Sequence, residues 1–241
     1  MENGRPYSLN KKKFTYCPGC GHGIVQRLIA ESIDELEQRE NTIGVASVGC
    51  GGMIYDFVNH DVIFPLHGRA PAVATGIKRV QPYKLVYTYQ GDGDLAAIGT
   101  AEIIHAAARG EKISVFFVNN GVYGMTGGQM APTSLIGQKT ITTPEGRDSD
   151  YHGYPVRISE MLALLDGVCY VERVSVNSPK NINHTKKAIK KAFQNQLDGK
   201  KFSIVEVITP CPASKRKDPY QVYKDTEKVF EYYPLGVFKD G

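Results

Sequence analysis

The sequence predicts an α/β fold, a parallel sheet covered by helices on both faces. Short apolar or β-branched runs recur at residues 43–48, 85–89, 113–118, 169–174 and 203–208. Their apolar character is continuous rather than alternating, as strands buried on both faces require. Helical patterns lie between them, and that alternation is the mark of a parallel sheet.

Taken in order, residues 22–38 form the first helix, with Ile24, Leu28, Ile29, Ile33 and Leu36 on one face. The strand at 43–48 ends in Ser47-Val48-Gly49-Cys50-Gly51-Gly52. The strand at 85–89 runs into Gln90-Gly91-Asp92-Gly93-Asp94, and an Ala- and Ile-rich helix is expected over 95–109. The strand at 113–118 runs into Asn119-Asn120-Gly121-Val122-Tyr123. Residues 121–154 carry seven glycines and little periodicity. Structureless loops beyond ~12–15 residues are rare in compact domains unless they are functional. After the strand at 169–174, a helix over 183–197 turns Ile189, Ala192 and Phe193 inward and its lysines outward. The last strand, 203–208, meets Thr209-Pro210-Cys211-Pro212. Residues 210–241 read as irregular, with Lys215, Arg216 and Lys217 ahead of several tyrosines. We therefore expect one domain over 1–211 and an arm over 212–241 packed on that domain or on a partner subunit.

Composition narrows the function classes. The 241 residues are 41% apolar and 22% charged, ordinary globular values. A net charge of +4 is too slight an excess to argue for nucleic acid. No apolar run approaches the ~18 residues of a membrane span. The N-terminal MENGRPYSLNKKKF lacks the apolar segment of a secretory signal, so a cytoplasmic protein is expected. Two counts stand out: 25 glycines and an odd five cysteines.

The loops after the strands at 85–89 and 113–118 open on the same carboxyl edge of a right-handed parallel unit, where ligands of such sheets bind. Asp92 offers a carboxylate, Asn120 an amide oxygen and Val122 a backbone carbonyl. These hard oxygen donors suit Mg²⁺, which completes its shell with phosphate and water. Gly91 and Gly93 allow close approach of backbone to phosphate, and the helix N-terminus after them favours anions. The GDG turn, 25 residues and then NN resemble the signature of thiamine-diphosphate enzymes. There is no Walker loop, and Gly91, Gly93 and Gly99 do not fit G-x-G-x-x-G, so nucleoside triphosphate and NAD lose support.

Cys17-Pro18-Gly19-Cys20 is a knuckle of the kind that binds zinc or iron–sulfur. Cys50 and Cys211 each follow a strand and so project from the same carboxyl edge. Cys17, Cys20, Cys50 and Cys211 could together hold one [4Fe–4S] cube. The sequence alone separates that poorly from zinc. Cys169 reads as a buried core thiol.

The segments YCPGCGHG, SVGCGG, HGRAPAVATGIKR, YQGDGDLAAIGTAEIIHAAARGE, FFVNNGVYGMTGGQMAPTS, LIGQK, TPCP and EYYPLGVFKD resemble the β subunit of 2-oxoacid:ferredoxin oxidoreductases. Within that family the types acting on 2-oxoglutarate or branched-chain 2-oxoacids are most similar. The resemblance implies thiamine diphosphate, Mg²⁺ and a [4Fe–4S] cluster. It makes Asp92, Asn120 and the Val122 carbonyl Mg²⁺ ligands, and Cys17, Cys20, Cys50 and Cys211 cluster ligands. Gly49, Cys50, Gly91, Gly93, Asp94, Thr126, Gly127 and Gly128 would surround the cofactor, with His67 and Arg69 on the diphosphate. Lys139 would serve a substrate carboxylate or a CoA phosphate. The implied activity is CoA-dependent oxidative decarboxylation of a 2-oxoacid, with electrons passing through the cluster to ferredoxin. The implied partners are an α subunit supplying the pyrimidine-binding domain and its activating glutamate, and γ and ferredoxin-like δ subunits. Two other readings stand beside this one. A non-oxidative thiamine decarboxylase or synthase subunit explains the GDG–NN pair. A zinc-ribbon nucleic-acid module explains the Cys17/Cys20 knuckle and the basic residues 214–217.

Overall fold

The computed structural model describes residues 4–212 and 218–241. The basic residues Lys215, Arg216 and Lys217 lie outside the described residues. Seven strands form one sheet: β1 (Thr42–Val45), β2 (Asp61–Ile63), β3 (Leu85–Gly91), β4 (Ser114–Asn119), β7 (Val168–Ser175), β8 (Phe202–Ile208) and β9 (Gly236–Asp240). Their order is β2-β1-β3-β4-β8-β7-β9, and all pair in parallel except β9, which runs antiparallel to β7. The central strands β3, β4, β7 and β8 are buried almost throughout, so their sequences are largely apolar or β-branched, with Glu172, Arg173 and Glu206 as buried charged interruptions. Two further short strands, β5 (Val122–Tyr123) and β6 (Gln129–Met130), form a separate hairpin.

Helices cover both faces. On one side α1 (His22–Glu35) and α6 (Pro179–Leu197) pack Leu28, Ile29, Ile33, Ile189 and Phe193 against Tyr87, Phe116 and Val205. On the other, α2 (Ala70–Val80), α3 (Thr100–Ala108) and α5 (Ile158–Ala163) bury Ala70, Ala74, Ile103, Ala106 and Leu162 on Val86, Val115, Phe117 and Ile204. The single turn α4 (Ser149–His152) lies between β6 and α5. No helix among the described residues is long and apolar enough to cross a membrane.

Several expected elements change. The helix expected over 95–109 begins as a π-helical turn, Gly93–Ile98, and becomes α-helical only from Thr100. The wider turn lets Gly99 pack within 2.6 Å of the Gly68 carbonyl, counted from where a Cβ would stand. The helix expected from 183 starts at Pro179, capped by the Ser178 hydroxyl. Residues 219–241 are not irregular. They form α7 (Pro219–Thr226), a 3₁₀ turn (Glu227–Glu231) and β9, which extends the sheet beyond β7.

Within the 121–154 segment one cation gathers carbonyls from several turns. Arg147, 4% exposed, donates to the carbonyls of Ala131, Pro132, Ser134, His152, Gly153 and Tyr154. A planar five-donor guanidinium can satisfy carbonyls from several turns at once, where no helix or strand does so.

Candidate active site

The chain leaves β1 toward β2 on one side, then returns through α2 to β3 on the other. The sheet order therefore reverses between β1 and β3, the place where open α/β sheets hold ligands. A cavity of about 160 Å³ lies there. Its wall comes from Val48, Gly49 and Cys50 after β1, from Gly91 to Asp94 after β3, and from Asn120 and Val122 to Thr126 after β4. His22 and His67 complete it. A complete small-molecule pocket measures ~300–1,000 Å³, so this wall encloses only part of one.

Asp92 is the buried centre, 2% exposed. Its Oδ1 accepts from the Gly93 amide at 2.9 Å. Its Oδ2 accepts from the Gly121 amide at 2.8 Å and the Thr133 hydroxyl at 2.7 Å. Burial pushes the carboxyl up to about 6, against the opposing pull of the Thr133, Gly93, Gly121 and Asn120 donors. Asn120 Oδ1 accepts from the Val122 amide at 3.1 Å. Asp92, Asn120 and Val122 thus meet at one wall, as the spacing predicts.

Asp94 is equally buried, and its carboxylate is engaged by the protein. Oδ1 takes His67 Nδ1 at 2.6 Å, the Gly68 amide at 2.9 Å and the Val48 amide at 3.3 Å; Oδ2 takes Gln90 Nε2 at 2.7 Å. It pins the β1 and β2 exit loops to β3. Gly93 shows how closely backbone must pass. A Cβ on Gly93 would stand 2.1 Å from the Tyr123 ring. Gly49, at φ +110°, and Gly91 instead have open space where a Cβ would stand, beside the cavity.

No lysine or arginine stands in the cavity wall, whereas two aspartates do. Arg69 pairs instead with Glu102 and the Ile98 carbonyl, and Lys139 is exposed on the long loop, away from the wall. Thr126 reaches the wall, but Gly127 and Gly128 lie beyond it. An anionic ligand here therefore needs its own cation to stand beside Asp92.

The four expected thiols converge next to this cavity. Cys50 lines it directly. A Cβ at Gly124 would stand 3.2 Å from Cys211 Sγ and 3.7 Å from Cys50 Sγ. The Cys17–Cys20 turn is held in place by two close packings: a Cβ on Gly19 (φ +80°) would stand 2.6 Å from Pro219 of α7, and one on Gly21 would stand 2.6 Å from Thr209 after β8. Burial, reinforced by Cys211, Cys50 and Cys17, pushes the Cys20 thiol up to about 12; the His22 amide opposes this. Burial, Cys211 and Cys17 likewise raise Cys50 to about 11. Yet among the described residues no three His, Cys, Asp or Glu side chains gather at single-ion spacing. Cys169 sits at the opposite, amino edge of the sheet, near the Lys201 carbonyl and the Ser203 hydroxyl.

Sequence reasoning missed His22 and Thr133. His22 is 2% exposed, with Nδ1 2.7 Å from the Tyr89 hydroxyl and its ring stacked on Tyr16. Burial lowers it to about 4. Its place at the start of α1, right after the cysteine knuckle, was the available signal. Thr133 had none, since it meets Asp92 across 41 residues of chain.

Comparison with known proteins bears on this site. The family described as thiamine pyrophosphate enzyme, C-terminal TPP binding domain, matches residues 47–207. The ketoisovalerate oxidoreductase subunit VorA of Methanothermobacter marburgensis is 49% identical over 226 residues, covering 93% of this chain and 47% of that one. The 2-oxoglutarate synthase subunit KorB of Archaeoglobus fulgidus is 38% identical over 235 residues, covering 93% of this chain and 84% of that one. In the solved structures, 2-oxoglutarate:ferredoxin oxidoreductase from Magnetococcus marinus, with 2-oxoglutarate, coenzyme A and succinyl-CoA bound, superposes with a TM-score of 0.81. That match has 25% identity over 100% of this chain and 86% of that one. The chain spans about half the length of the VorA relatives.

Proposed function

Since the chain belongs to the thiamine-pyrophosphate-binding subunits of the 2-oxoacid:ferredoxin oxidoreductases, we propose that it is the β subunit of such an enzyme. The reaction is oxidative decarboxylation of a 2-oxoacid, 2-oxoglutarate or a branched-chain acid, with CoA to acyl-CoA and carbon dioxide. The electrons leave singly through a [4Fe–4S] cluster to ferredoxin.

One observation carries this reading. Gly124 stands in the wall of the Asp92 cavity and against the sulfurs of Cys50 and Cys211. On this reading a carbon-centred reaction site and an electron relay would share that wall. Asp92, Asn120 and the Val122 carbonyl would hold Mg²⁺, and Gly49, Gly91 and Gly93 would admit the diphosphate. Thiamine diphosphate, when bound, supplies the electron sink that decarboxylation of a 2-oxoacid needs. Asp92 would meet the cation with a carboxylate already desolvated, since it is buried in the fold. Asp94 orients His67 toward the ligand, and Thr126 and Met125 close one side of the wall. Lys139 remains for ligand parts outside the cavity, and Arg69 braces its own loop on Glu102. Cys17, Cys20, Cys50 and Cys211 would ligate the cluster, four thiolates being the ligand set such a cube takes. Thiols bind metal as thiolates, so loading of the cluster would release their protons.

The cavity is incomplete, and apolar groups stand exposed around it: Leu66, beside His67, at 82% and Met125 at 53%. An α subunit covering this mouth would add the pyrimidine-binding half and its glutamate. The test is anaerobic purification of the chain with and without that partner. The complex should be brown, with about four irons and four sulfides per chain, and should reduce a dye with 2-oxoacid and CoA. Full turnover by the isolated chain would remove the shared-site reading. Colourless protein carrying one zinc would remove the redox one.

A further inference from the structure

Resting on the metal–diphosphate reading above, the geometry points to Thr133 as a positioning residue that makes Asp92 a one-oxygen ligand, and to Tyr233 of the C-terminal segment as its brace. A carboxylate offers two lone-pair directions on each oxygen. On Asp92 Oδ2 both are used, by the Gly121 amide at 2.8 Å and the Thr133 hydroxyl at 2.7 Å. Oδ1 takes the Gly93 amide at 2.9 Å, and as the less heavily bonded oxygen it is the one a cation would approach; the Asn120 amide adds a further pull on the carboxylate. Without the hydroxyl, the buried carboxylate could rotate and offer both oxygens. Mg²⁺ demands near-octahedral geometry and tolerates that poorly.

Thr133 is itself held. It is 1% exposed, and its carbonyl accepts from the Tyr233 hydroxyl at 3.2 Å. The same hydroxyl lies 3.1 Å from the Val156 carbonyl. Tyr233 is 1% exposed, with the Arg173 guanidinium 5.1 Å from its ring centre. Arg173 also grips the Pro234 carbonyl at 3.2 Å and Glu206 at 2.8 Å, and Glu206 takes Asn119 Nδ2 at 2.7 Å. The segment after α7 therefore reaches both loops of the clamp: Asp92 through Thr133, and Asn120 through its neighbour Asn119. This gives the C-terminal residues a task at the site although none of them lines the cavity.

The experiment uses the assembled complex, stripped of divalent ions and saturated with thiamine diphosphate. Mn²⁺ is titrated as the probe, and free Mn²⁺ is read by its paramagnetic resonance. Thr133→Val keeps the shape and removes the hydroxyl; its Kd for Mn²⁺ should rise about 10- to 100-fold, the usual cost of losing a partner behind a metal ligand. Thr133→Ser keeps the hydroxyl and should stay within about threefold of the parent. Tyr233→Phe should give a smaller rise, with the same direction. Unchanged affinity in Thr133→Val, or equal losses in the Val and Ser variants, would overturn the assignment. A parent complex that takes up no Mn²⁺ with the cofactor would instead remove the metal–diphosphate reading, and this inference with it.

Discussion

His67 Nδ1 lies 2.6 Å from Asp94 Oδ1, and that contact ties the loop before α2 to the turn after β3. An ionised carboxylate only accepts, so the Nδ1 proton belongs to His67 and Nε2 is the polar atom left for the cavity. Asp94→Asn should be mild. Its amide oxygen can serve the His67, Gly68 and Val48 donors, and its NH₂ can donate to Gln90 after an amide flip, because Gln90 Oε1 is buried without a partner. A loss of about 1 kcal/mol is expected, or roughly 2–4 °C in Tm for a domain of this size. Asp94→Ala strands four donors and should cost about 3–5 kcal/mol. Thermal melts of the two variants check this; equal shifts would show that Asp94 does not tie the loops.

His60 gives the chain a defined acid weakness. Its Nε2 lies 2.8 Å from the Tyr87 hydroxyl, and Nδ1 is buried without a partner. Burial lowers it to about 4. The unfolded chain takes up that proton near ~6.5. Between those values the unfolded state binds more protons, so stability falls as pH drops from about 6.5 to about 4. His60→Gln should leave stability at pH 7 within about 1 kcal/mol and shrink the loss between pH 7 and pH 5 by about 1–2 kcal/mol. Urea denaturation at the two pH values measures it. An unchanged pH slope would mean that His60 is protonated in the fold.

Much of this was legible in the sequence, for physical reasons. Strands buried on both faces are dominated by apolar and β-branched residues, so β3, β4, β7 and β8 announce themselves despite the buried Glu172, Arg173 and Glu206. The Asp92–Asn120 pair was readable because each residue sits immediately after such a strand. α2 was not foreseen: it is 11 residues long, with Gly76 inside it and Pro71 near its start. β9 was not foreseen because it is an edge strand, half-exposed, whose identity comes from pairing with β7. That Arg69 pairs with Glu102 rather than lining the cavity was equally hidden, because that partner lies 33 residues further on.

The thiols should separate by position on the sheet. Cys50 and Cys211 stand at the carboxyl edge against Gly124, while Cys169 opens β7 at the amino edge. Cys50→Ser and Cys20→Ser should lose most of the bound iron and the brown colour from the anaerobic complex. Cys169→Ser should keep both, with a stability change of about 1 kcal/mol from the lost sulfur packing. Iron and sulfide assays decide it; iron lost equally from Cys169→Ser would mean that the cluster ligands are misassigned.

Arg147 is the residue on which the long 121–154 segment depends. Its guanidinium serves six carbonyls, among them those of Ser134 at 2.6 Å and Pro132 at 2.9 Å, flanking the very Thr133 that supports Asp92. Burial lowers its proton affinity, but an arginine remains charged, and carbonyl dipoles replace water around it. Arg147→Met keeps the apolar stem and removes every donor. Each buried carbonyl left unpaired costs about 1–3 kcal/mol, so a loss of at least about 3 kcal/mol is expected after partial rehydration of the loop. Arg147→Lys should recover little, since one ammonium has three donors at a single point and cannot span carbonyls on both sides of the loop. Limited proteolysis followed by mass mapping reads the outcome. Cleavage of both variants should concentrate within 131–154 while β3, β4 and β8 stay protected. The Kd for Mn²⁺ should rise in parallel, because the loop that loses Arg147 is the one that carries Thr133. Proteolysis spread evenly along the chain would place Arg147 in global stability rather than in the ordering of this loop.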